Sequence, residues 1–285
     1  YAFDIVDSAH MRFVEIDGNA CVAGRAVGAP TGNSFSAATL VSANYSFTNG
    51  GNSPAGAYAG GGVFGSNGSG TITSGTFDIN NAGTYNSGPA LSACPYTVDP
   101  TTGRMDLKLL TGTGACPASA SVSVSEFAAY PTSEGSALML EIDANAVTTG
   151  AAYQQCFVAS ACSSGTAAIT GASTSLGLIG EGTFHKNPSA YQQNAVGQIA
   201  LSSTSITGGD LDINNFNAVF PADPVGTSGS SIGTASSTGR GTFVIAATNP
   251  TATYNLIYYL IDDNSALLLD KDASLVLRGA LARQF

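Results

Sequence analysis

The sequence has no tryptophan and only two histidines. Charged residues make up 10% of its 285 positions, against roughly 25% in ordinary globular proteins. Basic residues are the scarcest: 9 Lys and Arg face 19 Asp and Glu, a formal net charge of −10, with a pI near 4.3. Such a field repels nucleic acid and anionic membrane surfaces, and no Lys/Arg cluster overrides it locally. No apolar run approaches the roughly 20 residues that span a bilayer. No C-x-x-C or paired His occurs among the five cysteines and two histidines, so a zinc site is not indicated. No stretch carries a capped 3.6-residue period. No signal peptide precedes Tyr1, and a start at Tyr rather than Met is expected of a mature, processed or incomplete chain.

What is present points to β structure. Hydrophobic residues make up 44% of the chain, enough for a sizeable core and too apolar for disorder. "SVSVSEF" alternates with period two, and "NLIYYLI" is a short buried-strand run. Turn signals are dense: "SNGSG", "DPTTG", "INNAG" and "DDNS".

The chain also repeats itself. "TITSGTFDINN" from Thr71 matches "SITGGDLDINN" from Ser205, and "DPTTGRMDL" from Asp99 matches "ASSTGRGTF" from Ala235. Three endings align without gaps: "FDIVDSAHMRFVEID" from Phe3, "AYPTSEGSALMLEID" from Ala129 and "YYLIDDNSALLLDKD" from Tyr258. Each carries an acidic residue, a spacer, an Asp, six residues and a Gly, ending at Gly24, Gly150 and Gly279. Tyr1, Phe127 and Leu256 are equivalent positions, so the chain holds three tails but two bodies. The expected fold is all-β: two tandem homologous β-sandwich or flattened-barrel domains, residues 38–155 and 170–285, preceded by a surplus β-hairpin and strand at 1–27. Each domain is expected to have about seven to nine strands.

The combination of a Gly turn, "ITSG-x-x-D-x-N", "TGR" and the acidic ending resembles poorly characterised β-rich repeats of large secreted proteins of acidobacterial-type soil bacteria. The resemblance covers most of the chain and implies an exported, surface-associated protein. It carries over no catalytic residue.

Cys94 and Cys116 flank a strand-turn-strand stretch, and Cys156 and Cys162 could close a short loop, so two disulfides are expected, in an oxidising compartment. Cys21 is left over, as a buried thiol, a link to another chain, or part of a different pairing.

The acidic pairs Glu15/Asp17, Glu141/Asp143 and Asp270/Asp272 place two carboxylates on one strand face. Their recurrence in every tail speaks against a glycosidase site and for a solvated face, with Ca²⁺ as the alternative. Asp78 with Asn80, and Asp212 with Asn214, read as strand-ending turn formers, with calcium as the weaker option. "GSSIG" around Ser231 has the nucleophile-elbow form, yet no His follows it. His10 and His185 are expected at the surface. Asn44 and Asn67 begin sequons, and "GTSGSSIGTASSTG" reads as an exposed loop, so glycans are possible partners.

No catalytic residue, metal site or cofactor is assigned. The expected function is structural: an extracellular protomer of a surface filament or sheath, a homopolymer assembled by β-strand addition. Tyr1, Phe3, Ile5, Phe13, Ile16 and Cys21 of the surplus tail are the expected subunit-contact residues. That tail could instead pack on its own chain, or belong to a body lying upstream. The alternative function is a surface adhesin or carbohydrate-binding module stabilised by Ca²⁺, although no Trp is available for sugar stacking.

Overall fold

A computed structural model describes residues 2–16, 23–29, 34–117, 124–156, 169, 171–186, 189–215, 218–249 and 251–284. Among these residues, apart from one 3-10 turn, Ala37–Thr39, the regular structure is strand. A small antiparallel sheet comes first: β1 (Ala2–Ile5), β2 (His10–Val14) and β3 (Ala23–Val27), in that order.

Eleven strands form the next sheet. They are β4 (Ser42–Ser53), β5 (Gly56–Asn67), β6 (Thr71–Asn81), β7 (Thr84–Asn86), β8 (Ala90–Ser92), β9 (Cys94–Pro95), β10 (Thr97–Val98), β11 (Met105–Thr111), β12 (Val124–Pro131), β13 (Ser136–Glu141) and β14 (Val147–Gln154). The path runs β10-β11-β12-β13-β14-β4-β5-β6-β7, with β9 on β6. Short β8 pairs with both β6 and β11, which joins the two sides of the sheet into a ring.

The last eight strands close an antiparallel barrel: β15 (Gly171–Lys186), β16 (Ser189–Ser203), β17 (Ser205–Asn214), β18 (Val219–Ile232), β19 (Arg240–Thr248), β20 (Thr251–Leu260), β21 (Ser265–Asp270) and β22 (Leu275–Arg283). The β15–β22 ladder makes the closure, which leaves that barrel without an edge strand. The expectation of all-β bodies behind an extra strand segment is met. The second body is a closed barrel rather than a sandwich, and the first has eleven strands, more than expected, because the segment between β6 and β11 breaks into short pieces.

The three tails pair alike. Phe3 lies opposite Phe13, and Phe13 opposite Gly24. Ala129, Met139 and Gly150 repeat that register, as do Tyr258, Leu268 and Gly279. The four turn signals fall between β5 and β6, β6 and β7, β10 and β11, and β20 and β21. Half of "GTSGSSIGTASSTG" departs from its loop expectation, since residues up to Ile232 continue β18. Gly and Ser place no bulk on a strand, and β18 bulges from the β19 ladder between Gly226 and Ser231, where the Ser230 hydroxyl accepts the Ala246 amide.

Each body has its own core. Phe47, Phe64, Phe77, Phe127, Met105 and Leu107 fill the first, with Phe47 edge-on to Phe77. Ile199, Phe243, Leu256, Tyr258 and Leu268 lie in the second. Cys94 and Cys116 are joined by a disulfide across the β10–β11 region, as expected. Cys156 is also disulfide-bonded. Cys21, Cys162, Asp17 and Tyr1 lie outside the described residues.

Candidate functional site

A third apolar cluster joins the two bodies. Ala57, Ala59 and Val63 on β5 meet Ile257, Tyr259, Leu267, Leu269 and Val276 on β20–β22. Small residues permit the approach: a β carbon at Gly61 would stand 2.7 Å from the Tyr259 ring. At the edge of this layer Asp78, fully buried, accepts both donors of the Arg240 guanidinium, Nε and Nη2, each at 2.7 Å. The hydroxyls of Tyr85 (2.5 Å) and Tyr259 (2.6 Å) donate to the same carboxylate. Two-pronged pairs of this kind are strong and fix orientation. Burial, reinforced by the Asp78 charge, pushes the Tyr259 hydroxyl well above its usual pKa and Tyr85 up to about 12, so both remain donors. Gly239, at φ +85°, supplies the left-handed turn that launches Arg240.

Two residues along β6, the Asn80 amide donates to the carbonyls of Asp270, Asp272 and Leu275 at 2.9–3.1 Å. Asp78 is therefore a link between bodies, and Asn80 does both: its amide reaches the second body while its Oδ1 accepts the Gly83 amide in the β6–β7 turn, as expected of a turn former. Their repeat counterparts Asp212 and Asn214 are exposed on β17. Arg104, the counterpart of Arg240, pairs with Asp106 at the surface. The signal that could have revealed the link is the run Ala57, Ala59, Gly61 and Val63, small residues at alternate positions of one strand.

Two of the acidic pairs prove structural in another way than expected, and Asp17 of the third lies outside the described residues. Glu141 and Asp270 are buried (5% and 0% exposed), not solvated. In these two pairs the strand register turns the first carboxylate inward. Glu141 accepts the Thr148 hydroxyl, which itself accepts the Asn49 amide. Burial, with Asp143 nearby, raises Glu141 to about 7. Burial and Asp272 raise Asp270 well above the usual range. The second carboxylates are straps: Asp143 accepts the Glu126 amide at 2.7 Å and Asp272 the Asn255 amide at 2.8 Å, equivalent positions in the two tails. Among the described residues no group of three His, Cys, Asp or Glu gathers to hold a metal.

Ser231 sits in the β18–β19 ladder opposite Val244, so "GSSIG" is not a strand-turn-helix elbow. His10 is near the surface, bonded to Asp7 at 2.8 Å and Glu134 at 2.6 Å. The side chain of His185 lies outside the described part of β15. Asn44 and Asn67 are exposed.

The N-terminal sheet rests on the first body. Besides the His10–Glu134 contact, Ser133 N donates to Gly28 O and Arg25 donates to the Tyr153 hydroxyl. Its apolar residues are poorly covered: Phe3 is 61% exposed, Ile5 72% and Ile16 69%. Phe13 is half-buried, its ring over Gly24. Among the described residues neither outer strand gains a further ladder partner, so the outer sides of β1 and β3 stay open. In the other tails both outer strands are laddered, β12 to β11 and β14 to β4, β20 to β19 and β22 to β15. A cleft of about 890 Å³ opens where the three tails converge, lined by Phe13, Gly24, Met139, Gly150 and Gly279, with Arg25, Glu181 and Arg278 as its charged groups.

No family model matches the chain, and no curated protein matches it. One solved structure, a candidate AttH protein from Nitrosomonas europaea, aligns at 8% identity over 85% of this chain and 92% of that one, with a TM-score of 0.22. A likeness that weak carries no argument. Among the described residues no helix is long and apolar enough to cross a membrane.

Proposed function

We propose that this chain is a structural extracellular protein, a protomer of a surface filament or sheath, extended by strand addition at its N-terminal sheet. The observation that carries the reading is the open outer sides of β1 and β3, against the doubly laddered outer strands of the other two tails. Unpaired strand edges recruit strands from other chains, where main-chain bonds supply affinity and alternate side chains fill pockets. Exposed Phe3 and Ile5 are the side chains such a partner would cover. The disulfide Cys94–Cys116 fits an oxidising compartment outside the cytosol. The reading assigns no catalysis and no cofactor.

The test is electron microscopy of concentrated protein with and without residues 1–27. The intact chain should assemble, and the shortened chain should stay dispersed with both bodies folded. Assemblies that persist without the N-terminal sheet would sink the reading. The three-tail cleft, with Arg25, Glu181 and Arg278 as polar anchors, is the place for the alternative function as a glycan-binding adhesin. A glycan array answers that separately.

A further inference from the structure

The outward faces of the two complete tails differ in one respect. On the second body Tyr259, Leu269 and Val276 are 0%, 0% and 3% exposed, because β5 and β6 of the first body cover them. Their counterparts on the first body, Tyr130, Leu140 and Val147, are 46%, 44% and 76% exposed. The same face is thus covered once and bare once. Exposed apolar patches of this kind mark interaction sites.

The N-terminal sheet lies beside the bare face as the first body's own tail lies beside the covered one. The chain leaving β3 meets the β12–β13 turn, through Gly28 O and Ser133 N. The chain leaving β14 meets the β20–β21 turn, through Cys156 N and Ile261 O and through Gln155 and Leu260 O. The contacts are neighbouring rather than identical: Gly28 corresponds to Gln154, one residue before Gln155, and Ser133 to Asp262, one residue after Ile261. The stacking step that relates first body to second is therefore prepared once more, ahead of the first.

We propose that the Tyr130–Leu140–Val147 face seats one further body of this repeat type, and that β1–β3 are the strands that complete it. This rests on strand addition at β1 and β3 but departs from the reading above in the donor, which is a body of this type rather than a second complete copy of this chain. The occupant brings its body strands, β4–β11 in the first body, with no tail of its own. It presents small residues at alternate positions of one strand, as Ala59, Gly61 and Val63 do, and an Asp-x-Asn on the next, as Asp78 and Asn80 do.

A second complete copy of this chain does not fit that description. The β5–β6 face of its first body is already covered. Its second body carries Asn194, Val196 and Gln198 where the first has Ala59, Gly61 and Val63, judged by ladder partners: Asn194 pairs with Asn214 as Ala59 does with Asn80, and Val196 with Asp212 as Gly61 does with Asp78. The Val196 side chain occupies the place that Gly61 leaves to an aromatic ring. A polar, bulkier outer face is how a repeat array ends.

The experiment supplies the body at high effective concentration. Residues 30–126 are duplicated directly ahead of Tyr1, so that Tyr1 follows Glu126 as Phe127 does. Two readouts are taken: hydrogen exchange of the β1 and β3 amides, and maleimide labelling of a thiol introduced by Val147→Cys, quantified on its own peptide. The extended chain should slow exchange in β1 and β3 and slow labelling by an order of magnitude or more. A matching extension built from residues 170–255 should protect β1 and β3 but leave the thiol reactive. Protected strands with a reactive thiol in the first extension overturn the seating while strand addition stands. Unprotected strands in both extensions overturn both readings. Labelling that slows with rising concentration of the unextended chain makes a second copy the occupant and overturns the proposal.

Discussion

The Arg240 guanidinium holds Asp78 through both Nε and Nη2, a contact between two bodies 162 residues apart in sequence. Removing one member of a buried pair leaves the other uncompensated, at a cost of about 3–5 kcal/mol. Asp78→Ala also strands the Tyr259 hydroxyl, which water does not reach. Each of Asp78→Ala and Arg240→Ala should lower the thermal midpoint by roughly 6–20 °C, at about 2–4 °C per kcal/mol. The double variant should lose less than the sum. Strictly additive losses in denaturant titrations would show that the pair does not act as a unit.

Gly61 sets how closely the bodies approach. Its missing β carbon makes room for Tyr259, so Gly61→Val should push the faces apart and cost about 1–3 kcal/mol as overpacking. The reverse change at the counterpart, Val196→Gly, removes a side chain that is half exposed. It should cost about 1 kcal/mol or less, the usual penalty of glycine in a strand. Equal costs at the two positions in chemical denaturation would refute this account of the contact.

How far the sequence revealed this architecture depends on the element. The Asn/Gly turns and the gapless tails were legible, because a turn is set by a few neighbouring residues and a repeated register by spacing alone. The equivalence of Phe3–Phe13–Gly24 with Tyr258–Leu268–Gly279 is an example. The role of Asp78 was not legible. The same "DINN" places Asp78 at 0% exposure and Asp212 at the surface, and the difference comes from what packs outside the strand. For the same reason the carboxylates of Glu141 and Asp270 could be paired by eye but not assigned to the inside. Asn194, Val196 and Gln198 against Ala59, Gly61 and Val63 were the visible sign of the difference between the faces.

Burial of Glu141 makes stability depend on pH in an unusual direction for a carboxylate. Its folded pKa, about 7, lies above the ordinary 4.5, so the folded state binds the proton more tightly than the unfolded chain does. The stabilising contribution is complete below about pH 4.5 and is lost as pH rises through 7. Glu141→Gln keeps an oxygen for the Thr148 hydroxyl and never ionises. Between pH 4.5 and 8 the variant should lose less thermal stability than the parent, and the two curves should converge at the acid end. Parallel curves across that range would mean that Glu141 is ionised in the fold at no cost.

The N-terminal sheet should also respond to pH, through His10. Asp7 first, then Glu134, hold its pKa above the usual 6.5 by accepting hydrogen bonds from the charged ring. Asp7 is correspondingly lowered, by the Ala9 amide and then by His10, so it stays ionised throughout. A raised histidine contributes fully below pH 6.5, and its contribution fades as pH climbs through the raised value. The link to Glu134 tethers β2 to the first body, so exchange of β1–β3 amides, corrected for the intrinsic pH dependence, should quicken as pH rises from 6 to 9. The amides of β12–β14 quicken over the same range as Glu141 ionises, but that change should be the same in His10→Gln as in the parent. His10→Gln should exchange at the high-pH rate throughout, and added salt should narrow the difference, since exposed pairs are screened. A sheet that exchanges at one corrected rate from pH 6 to 9 in the parent protein would show that His10 does not hold it.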